Sequence, residues 1–421
     1  MTETVAQPGQ RRRRWRVVIL SAILLLLVSY TGLDAWAGRR VAREVARLEA
    51  KYGSFDEATL QVAIVPPADN RARIVRAAAA LTIPLTGSSL SAVRLKATEP
   101  VPAETRAFAM ANGPAIRMAA EIGTRRQSSW EVEYRWPGDR PPWGGIRTLS
   151  DALFVTSLLD IEAGRAEEAA KAITTGLAVA STLRQEPDLI SQLMRMSALS
   201  SRPLEALQQL ITRLEPSKEA LADVATLLAE SRSPDPMQVG LLGETKMANA
   251  VLARMEAGRG DDRVGAVWSG PLGRIGRPFV RLSRAGYLRQ MGRLLDVQTG
   301  PRPLPAPVDT PNPPIWAWSD RLAYGFTRGI ERSIETGDDY VSELGATEVA
   351  VALRRFRLDH GTYPESLSML TPAYLASVAI DPYTGQPPVY ARAGAGFTLR
   401  ARIGPSSRPV ARPALEWTVA K

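Results

Sequence analysis

His360 is the sole histidine and cysteine is absent, so the side chains that carry most hydrolytic chemistry are almost missing. A Ser-His-Asp relay needs an imidazole, and a zinc site built on histidine needs at least two. Cysteine nucleophiles, thiolate metal sites and acylated lipoprotein anchors are excluded outright. His360 stands beside Asp359 at the end of a helical stretch and reads as a polar residue favoured by the helix dipole, not as a ligand or base. Paired carboxylates need no histidine, and glycan hydrolysis between two acids is the chemistry Glu131/Glu133 or Asp261/Asp262 could support. Neither pair has a spacing that singles it out. Trp130, Trp136 and Trp143 could line a groove for sugar or peptide; the plainer expectation is a hydrophobic cap over helices. No catalytic residue, cofactor or metal site is expected.

The elements that would position any chemistry begin with an address. Val17–Leu33 is an uncharged, mostly apolar run, preceded directly by Arg11, Arg12, Arg13, Arg14 and Arg16. As a helix it covers roughly 25 Å, enough for a thin membrane crossing. Arginines beside such a span are held on the cytoplasmic side, so the N-terminus is expected inside and the bulk of the chain outside. Trp15, Tyr30 and Trp36 fall near the two ends, where amphipathic rings prefer the interface. A competing reading is a cleaved signal peptide, since Ala35-Trp36-Ala37 fits an A-x-A site; Arg12-Arg13 also invites a twin-arginine export reading. The apolar run exceeds a usual signal core and leads straight into helical sequence, so a retained anchor is the expectation.

The net charge of +10 does not indicate nucleic acid, because residues 1–16, with five arginines and one glutamate, supply +4 of it. The rest is spread among interleaved acids, as on a solvated surface, and anionic lipid is the better partner for the tail. With 421 residues and no disulfide, ordinary core burial must hold the exported part together.

Beyond the span, Val41, Val45 and Leu48 recur at helical spacing, so the membrane helix is expected to continue as an amphipathic stalk. Asn70–Leu81 and Ala103–Ile122 read as helices. Ser128–Trp136 alternates and is rich in β formers, so it reads as a strand with Trp130, Val132 and Tyr134 on one face. From Thr148 to about Gly258 the pattern is almost wholly helical, with helices expected over Leu189–Leu214 and Ser217–Leu228. Within it, Ser157–Ala170 resembles the turn of one tetratricopeptide hairpin: a helix, Gly164-Arg165, then acids and alanines opening the next helix. No 34-residue period persists, so the expectation is a TPR-like hairpin array, not a solenoid. Val280–Leu295 reads as a further helix. Pro301–Pro314 holds seven prolines in fourteen residues and reads as a semi-rigid linker or strap.

Two more helices are expected over Trp316–Ser333 and Asp338–His360. The text that follows is the most specific in the chain: Ala352–Leu367 containing Asp359-His-Gly-Thr-Tyr-Pro364, then Leu370–Leu375, Asp381-Pro-Tyr-Thr-Gly-Gln-Pro387, and strand-like Val389-Tyr390 and Phe397–Leu399. Gly361 should stop the helix, Tyr363 fold back on it and Pro364 open the next turn. Asp381, Pro382 and Gly385 are turn chemistry that sets up a hairpin. This region of about 75 residues resembles the globular head of major pseudopilins of type II secretion. The resemblance implies a helix-turn-sheet head with these residues as structural motifs. The span lacks the family's processing site and acidic residue, and Arg400–Lys421 holds only Glu416 where a calcium loop would lie, so neither filament assembly nor calcium is carried over.

The expected fold is mainly α: a single N-terminal transmembrane helix, an exported helical-hairpin bundle and a small α+β pseudopilin-like C-terminal domain. The expected segments are a basic cytoplasmic tail (1–16), the anchor (17–37), a membrane-proximal α+β region (38–147), the bundle (148–297), a Pro-rich linker (298–315) and a helix plus head (316–421). The expected role is non-enzymatic: a scaffold or accessory subunit of a bacterial cell-envelope assembly, placed in the inner membrane with most of the chain periplasmic. The expected partners are membrane lipid and other envelope proteins, with no nucleic acid and no metal. The rivals are a secretion- or pilus-related component and a glycan-acting enzyme using paired carboxylates.

Overall fold

The computed structural model describes residues 8–85, 100–123, 125–134, 139–200, 202–258, 270–300, 318–401 and 415–419. The described residues are mainly helical, with a three-stranded sheet near the C-terminus. The Pro-rich stretch Pro301–Pro314, the Asp261/Asp262 pair, Trp136 and the side chains of Arg11, Arg12 and Arg13 lie outside the described residues. Two compact units are assembled from segments far apart in sequence: one from residues 1–59, 245–292 and 310–327, the other from 60–244, 293–309 and 328–421.

The first unit is built on α1 (Pro8–Tyr52), the second half of α10 (Pro236–Glu256) and most of α11 (Pro271–Thr299). One helix in the described residues is long and apolar enough to cross a membrane, and it is α1. Its apolar run stays uncovered: Val17 to Leu20 and Ile23 to Val28 are all exposed. Burial starts at Asp34 and continues at Ala37, Val41 and Leu48, a helical stripe that gives α1 one covered face only after the apolar run ends. At Gly38 a Cβ would press on Arg281, and at Gly292 one would press on Arg47, so both bare positions let α1 and α11 lie close.

The second unit is a bundle around α6 (Ala166–Ser181), which packs against α5 (Trp143–Glu162), α7 (Leu189–Ser200), α8 (Pro203–Arg213) and α9 (Lys218–Arg232). The α5–α6 hairpin turns at Gly164, whose φ of 75° is the left-handed conformation glycine adopts freely. The Arg165 N–H closes the turn on the Asp160 carbonyl at 2.8 Å. Shorter helices α2 (Arg71–Ala80), α3 (Ala103–Ala111) and α4 (Gly113–Ala120) lie on α5.

Several boundaries differ from the sequence expectation for identifiable reasons. The stretch expected as one helix over Leu189–Leu214 breaks at Arg202, where Pro203 opens α8 as its first residue. The expected helix over Ala103–Ile122 breaks at Asn112, whose amide takes the Ile83 N–H at 2.8 Å and gives to the Ile83 carbonyl at 3.0 Å. The two helices expected over Trp316–Ser333 and Asp338–His360 are joined in one helix, α12 (Trp318–His360), with residues 316 and 317 outside the described residues. Gly337 does not interrupt it because the bare position receives the Met237 side chain.

The strand expected over Ser128–Trp136 is absent from its described part, residues 128–134. Burial still alternates, with Trp130 and Tyr134 inside and Glu131 and Glu133 outside. The backbone, however, pairs with side chains in place of a neighbouring strand. Asn70 Nδ2 donates to the Ser129 carbonyl at 2.8 Å, Asn70 Oδ1 accepts the Ser129 N–H at 3.1 Å, and Arg76 donates to the Trp130 carbonyl. Glu131 then takes a φ of 55°, which ends any extended run; Arg73 holds its carboxylate at 3.1 Å.

The sheet is antiparallel, ordered β1 (Val389–Ala393), β2 (Gly396–Ala401), β3 (Leu415–Val419). Phe397, Leu399 and Ala401 of β2 and Trp417 and Val419 of β3 point inward. β3 packs on α8, where Gln208 donates to the Glu416 carbonyl at 2.8 Å.

Candidate functional site

Three places gather charged or polar groups that sequence patterns either singled out or overlooked. The first lies in the unit built on α1. Asp34, the first charged residue after the apolar run, is clasped by two arginines of α11: Arg277, and Arg281 at 3.0 Å. Glu44 accepts from Arg289 at 3.1 Å. Glu256 of α10 holds Arg281 at 2.6 Å and Arg284 at 2.9 Å, and Arg284 also donates to Asn249. Arg254 grips Glu57 at 2.7 Å, and Lys246 donates to Thr59 at 2.9 Å. Two pairings fix the direction of the helices: Arg277 with Asp34, 243 positions apart, and Arg289 with Glu44, 245 apart. A nearly constant separation means that α1 and α11 run parallel. The result is a polar ladder on the side of α1 that follows the apolar run. Trp15 and Trp36 are exposed, Tyr30 is half-buried, and Arg14 and Arg16 are exposed; Arg40 stacks its guanidinium 4.9 Å from the Trp36 ring centre.

The second lies at the turn between α6 and α7. Gln192 gathers the carbonyls of Leu183 at 2.8 Å and Glu186 at 2.6 Å, and Asp188 caps α7 by accepting the Ser191 N–H at 2.9 Å. α10 comes in close because Gly240 and Gly243 are bare: a Cβ at Gly240 would sit 3.0 Å from Leu189, and one at Gly243 would strike the Pro187 carbonyl. Glu186 is sealed inside at 0% exposure, and neither carboxylate oxygen has a hydrogen bond of normal geometry. Burial pushes its pKa up to about 8, helped by the charge of Asp188 and opposed by the Trp130 N–H and Arg76. Burial and Asp188 also raise Glu244, against Arg140. Protonated acids at neutral pH are the raw material of general-acid chemistry, but a fully sealed Glu186 presents its proton to the protein interior and to no substrate.

Two of the three tryptophans hydrogen-bond to residues flanking this turn. Trp130 donates its indole N–H to the Thr182 carbonyl at 3.1 Å, and Trp143 donates to Ser191 Oγ at 3.1 Å. Both polar handles are spent on the protein, and Trp130 is fully buried. Glu131 is tied to Arg73 and Asn70, so the structure gives it a local structural partner. Among the described residues no group of three or more His, Asp or Glu is arranged to hold a metal.

The third is the turn after α12. Gly361 has a φ of 73° and gives its N–H to the Arg357 carbonyl at 2.7 Å, ending the helix. Tyr363 lies back against α12, where Arg354 donates to its hydroxyl at 3.0 Å, and its ring meets Phe397 edge-on at 4.9 Å. The Pro364 carbonyl accepts the Tyr390 hydroxyl at 2.6 Å. Asp381 is buried; its Oδ1 accepts the Tyr383 N–H at 2.8 Å, and its carbonyl accepts the Gly385 N–H at 2.9 Å, with Gly385 at a φ of 67°. Pro382 is buried beside it. His360 stacks on Phe356 at 4.2 Å and lies 3.3 Å from the Tyr374 hydroxyl, while Asp359 accepts from Tyr374 and from Lys218.

No protein-family model, no curated protein and no solved structure matches the chain.

Proposed function

We propose that this chain is a membrane-anchored, non-enzymatic scaffold or accessory subunit of a bacterial cell-envelope assembly, held by α1 in the inner membrane with its N-terminus cytoplasmic. The observation that carries the reading is the change of character along α1. The run from Val17 to Val28 is exposed and apolar, whereas Asp34 onward is clasped by α11. A bare apolar cylinder joined without interruption to a helix with fixed partners suits lipid on one part and protein on the other. Helical hairpins such as α5–α6 supply broad surfaces on which protein segments dock.

A second reading, a component of secretion or pilus machinery, rests on the resemblance of the C-terminal region to major pseudopilin heads. The order of elements supports it: a long helix ending at Gly361, the Asp381 turn, then an antiparallel sheet.

The experiment is purification of the tagged chain from its native membrane in mild detergent, with mass spectrometry of what accompanies it. A stoichiometric set of membrane partners is expected, and a secretion apparatus among them would select the second reading. Recovery as a lone monomer would overturn both. A reporter fused at the C-terminus checks orientation, and activity only on the cytoplasmic side would contradict the proposed topology.

A further inference from the structure

We propose that the first turns of α11 rest on the membrane surface beside α1, and that together with the residues following the apolar run they form a docking face for anionic lipid headgroups. The inference rests on the reading of α1 as a membrane-spanning helix, and adds a second element that touches the bilayer.

Depth is the first argument. Arg277 pairs with Asp34, one residue past Leu33, and the parallel register of the two helices carries that level across to α11. Ile275 is therefore roughly 3 Å further toward the apolar run than Arg277, and Phe279 roughly 3 Å further away. Both fall within the band occupied by Tyr30 and Trp36, the ring-bearing end of the span.

Exposure is the second. Ile275 is 62% exposed and Phe279 46%, and four positions apart they share one face of α11. Arg277 and Arg281, on a different face, are turned to Asp34. Trp36 adds an indole at 42% exposure at the same level. Apolar side chains partly exposed on two neighbouring helices at one height suit an interfacial layer.

Charge is the third. Arg39 and Arg43, one turn apart on α1, are exposed just beyond this height, while among the described residues Asp34 is engaged by two arginines and Glu44 by Arg289. The face left to solvent is apolar on the side of the bilayer and positive above it, the complement of an anionic surface.

The absence of cysteine makes single-site labelling clean. The full chain would be reconstituted in nanodiscs of phosphatidylcholine alone, or with 30% phosphatidylglycerol, carrying one nitroxide at Leu25→Cys, Ile275→Cys or Asp223→Cys. Collision with oxygen and with an aqueous nickel chelate then reports depth. The expected result is a deep label at 25, an aqueous label at 223, and at 275 a nickel accessibility at least threefold below that at 223. A further twofold drop is expected with phosphatidylglycerol, lost in Arg39→Glu/Arg43→Glu. A deep label at 25 with a label at 275 as aqueous as that at 223 overturns this proposal and leaves the anchor intact. An aqueous label at 25 overturns the anchor and this proposal together. A label at 275 shielded from both reagents gives the face to a second copy of the chain, and insensitivity to phosphatidylglycerol removes the anionic lipid; either result overturns the proposal.

Discussion

Asn70 and Ser129, 59 positions apart, exchange two hydrogen bonds as a pair of strands would, although one partner is a side chain. The same Asn70 Oδ1 also accepts the Ala72 N–H at 3.0 Å and so caps α2. One buried amide thus satisfies three backbone groups. Asn70→Ala should leave them unpaired and cost about 2–4 kcal/mol, each orphaned group contributing roughly 1–3 kcal/mol. Urea unfolding of the full chain in detergent measures it; a loss under about 0.5 kcal/mol would mean that water replaces the amide.

Glu186 predicts an unusual dependence on pH. Its pKa is raised in the folded chain from the ordinary 4.5 to about 8, so the folded state binds the proton more tightly than the unfolded one. The sign follows: stability is highest below about 4.5 and falls as pH rises toward about 8, and Glu244 acts in the same direction. Glu186→Gln should flatten part of that slope and stabilise the chain at pH 8 by on the order of 3 kcal/mol. Adding Glu244→Gln should flatten it further. Urea midpoints from pH 5 to 8.5 decide it, and equal slopes in wild type and the double variant would count against a sealed acid.

Two glycines should respond oppositely to alanine. A Cβ at Gly243 runs into the Pro187 carbonyl, which cannot yield without moving the turn that carries Glu186. Gly243→Ala should cost about 2 kcal/mol or more through forced backbone shifts. Gly144, in the first turn of α5, has nothing within 4 Å of the added atom, and Gly144→Ala should gain up to about 1 kcal/mol of helix propensity. Thermal midpoints moving in the same direction would sink this pair.

Removing the Asp34 carboxylate should loosen α11 from α1. Asp34→Ala strips the partner from Arg277 and Arg281 and should cost about 1–2 kcal/mol, with Asp34→Asn costing less because it still accepts a hydrogen bond. Hydrogen exchange across residues 277–292 reads the change locally. Unaltered protection there would show that apolar packing alone holds the helices.

Arg354 has three tasks that lysine cannot share. It donates to the Tyr363 hydroxyl at 3.0 Å and to the Leu214 carbonyl at 3.1 Å, and pairs with Glu215 at 3.0 Å, all from a buried position. Arg354→Lys should destabilise the chain by about 2–4 kcal/mol and Tyr363→Phe by about 1 kcal/mol. If the lysine variant were as stable as wild type, the fork geometry would have no role.

What could be read from the sequence were the features written into consecutive residues. The apolar run of α1 and its helical continuation, the Gly164 turn between α5 and α6, the stop at Gly361 and the β1–β2 hairpin all follow from local spacing and turn chemistry. Features that depend on a distant partner were not legible. Alternation over residues 130–134 reports which side chains are inside, but not that Asn70 would stand in for a strand. The arginines of α11 look like a solvated face, because nothing nearby reveals that Asp34 and Glu44 wait on another helix. Glu186 resembles any surface acid; only the approach of α10 through two glycines seals it. β3 pairs with β2 after an intervening run that carries no strand pattern, so its place in the sheet was also hidden.

The parallel register of α1 and α11 has a consequence for how the chain must be made. Parallel neighbours cannot be joined by a tight turn, and Arg277 follows Asp34 by 243 residues. At roughly 5–20 residues per second, Asp34 leaves the ribosome about 10–50 s before its clasp exists. The α5–α6 hairpin can close from contiguous sequence within that interval, whereas the face of α1 carrying Ala37, Val41 and Leu48 stays uncovered throughout it. The earliest segment synthesised is thus among the last to acquire its neighbours, and that delay is set by the 243 residues that separate Asp34 from Arg277.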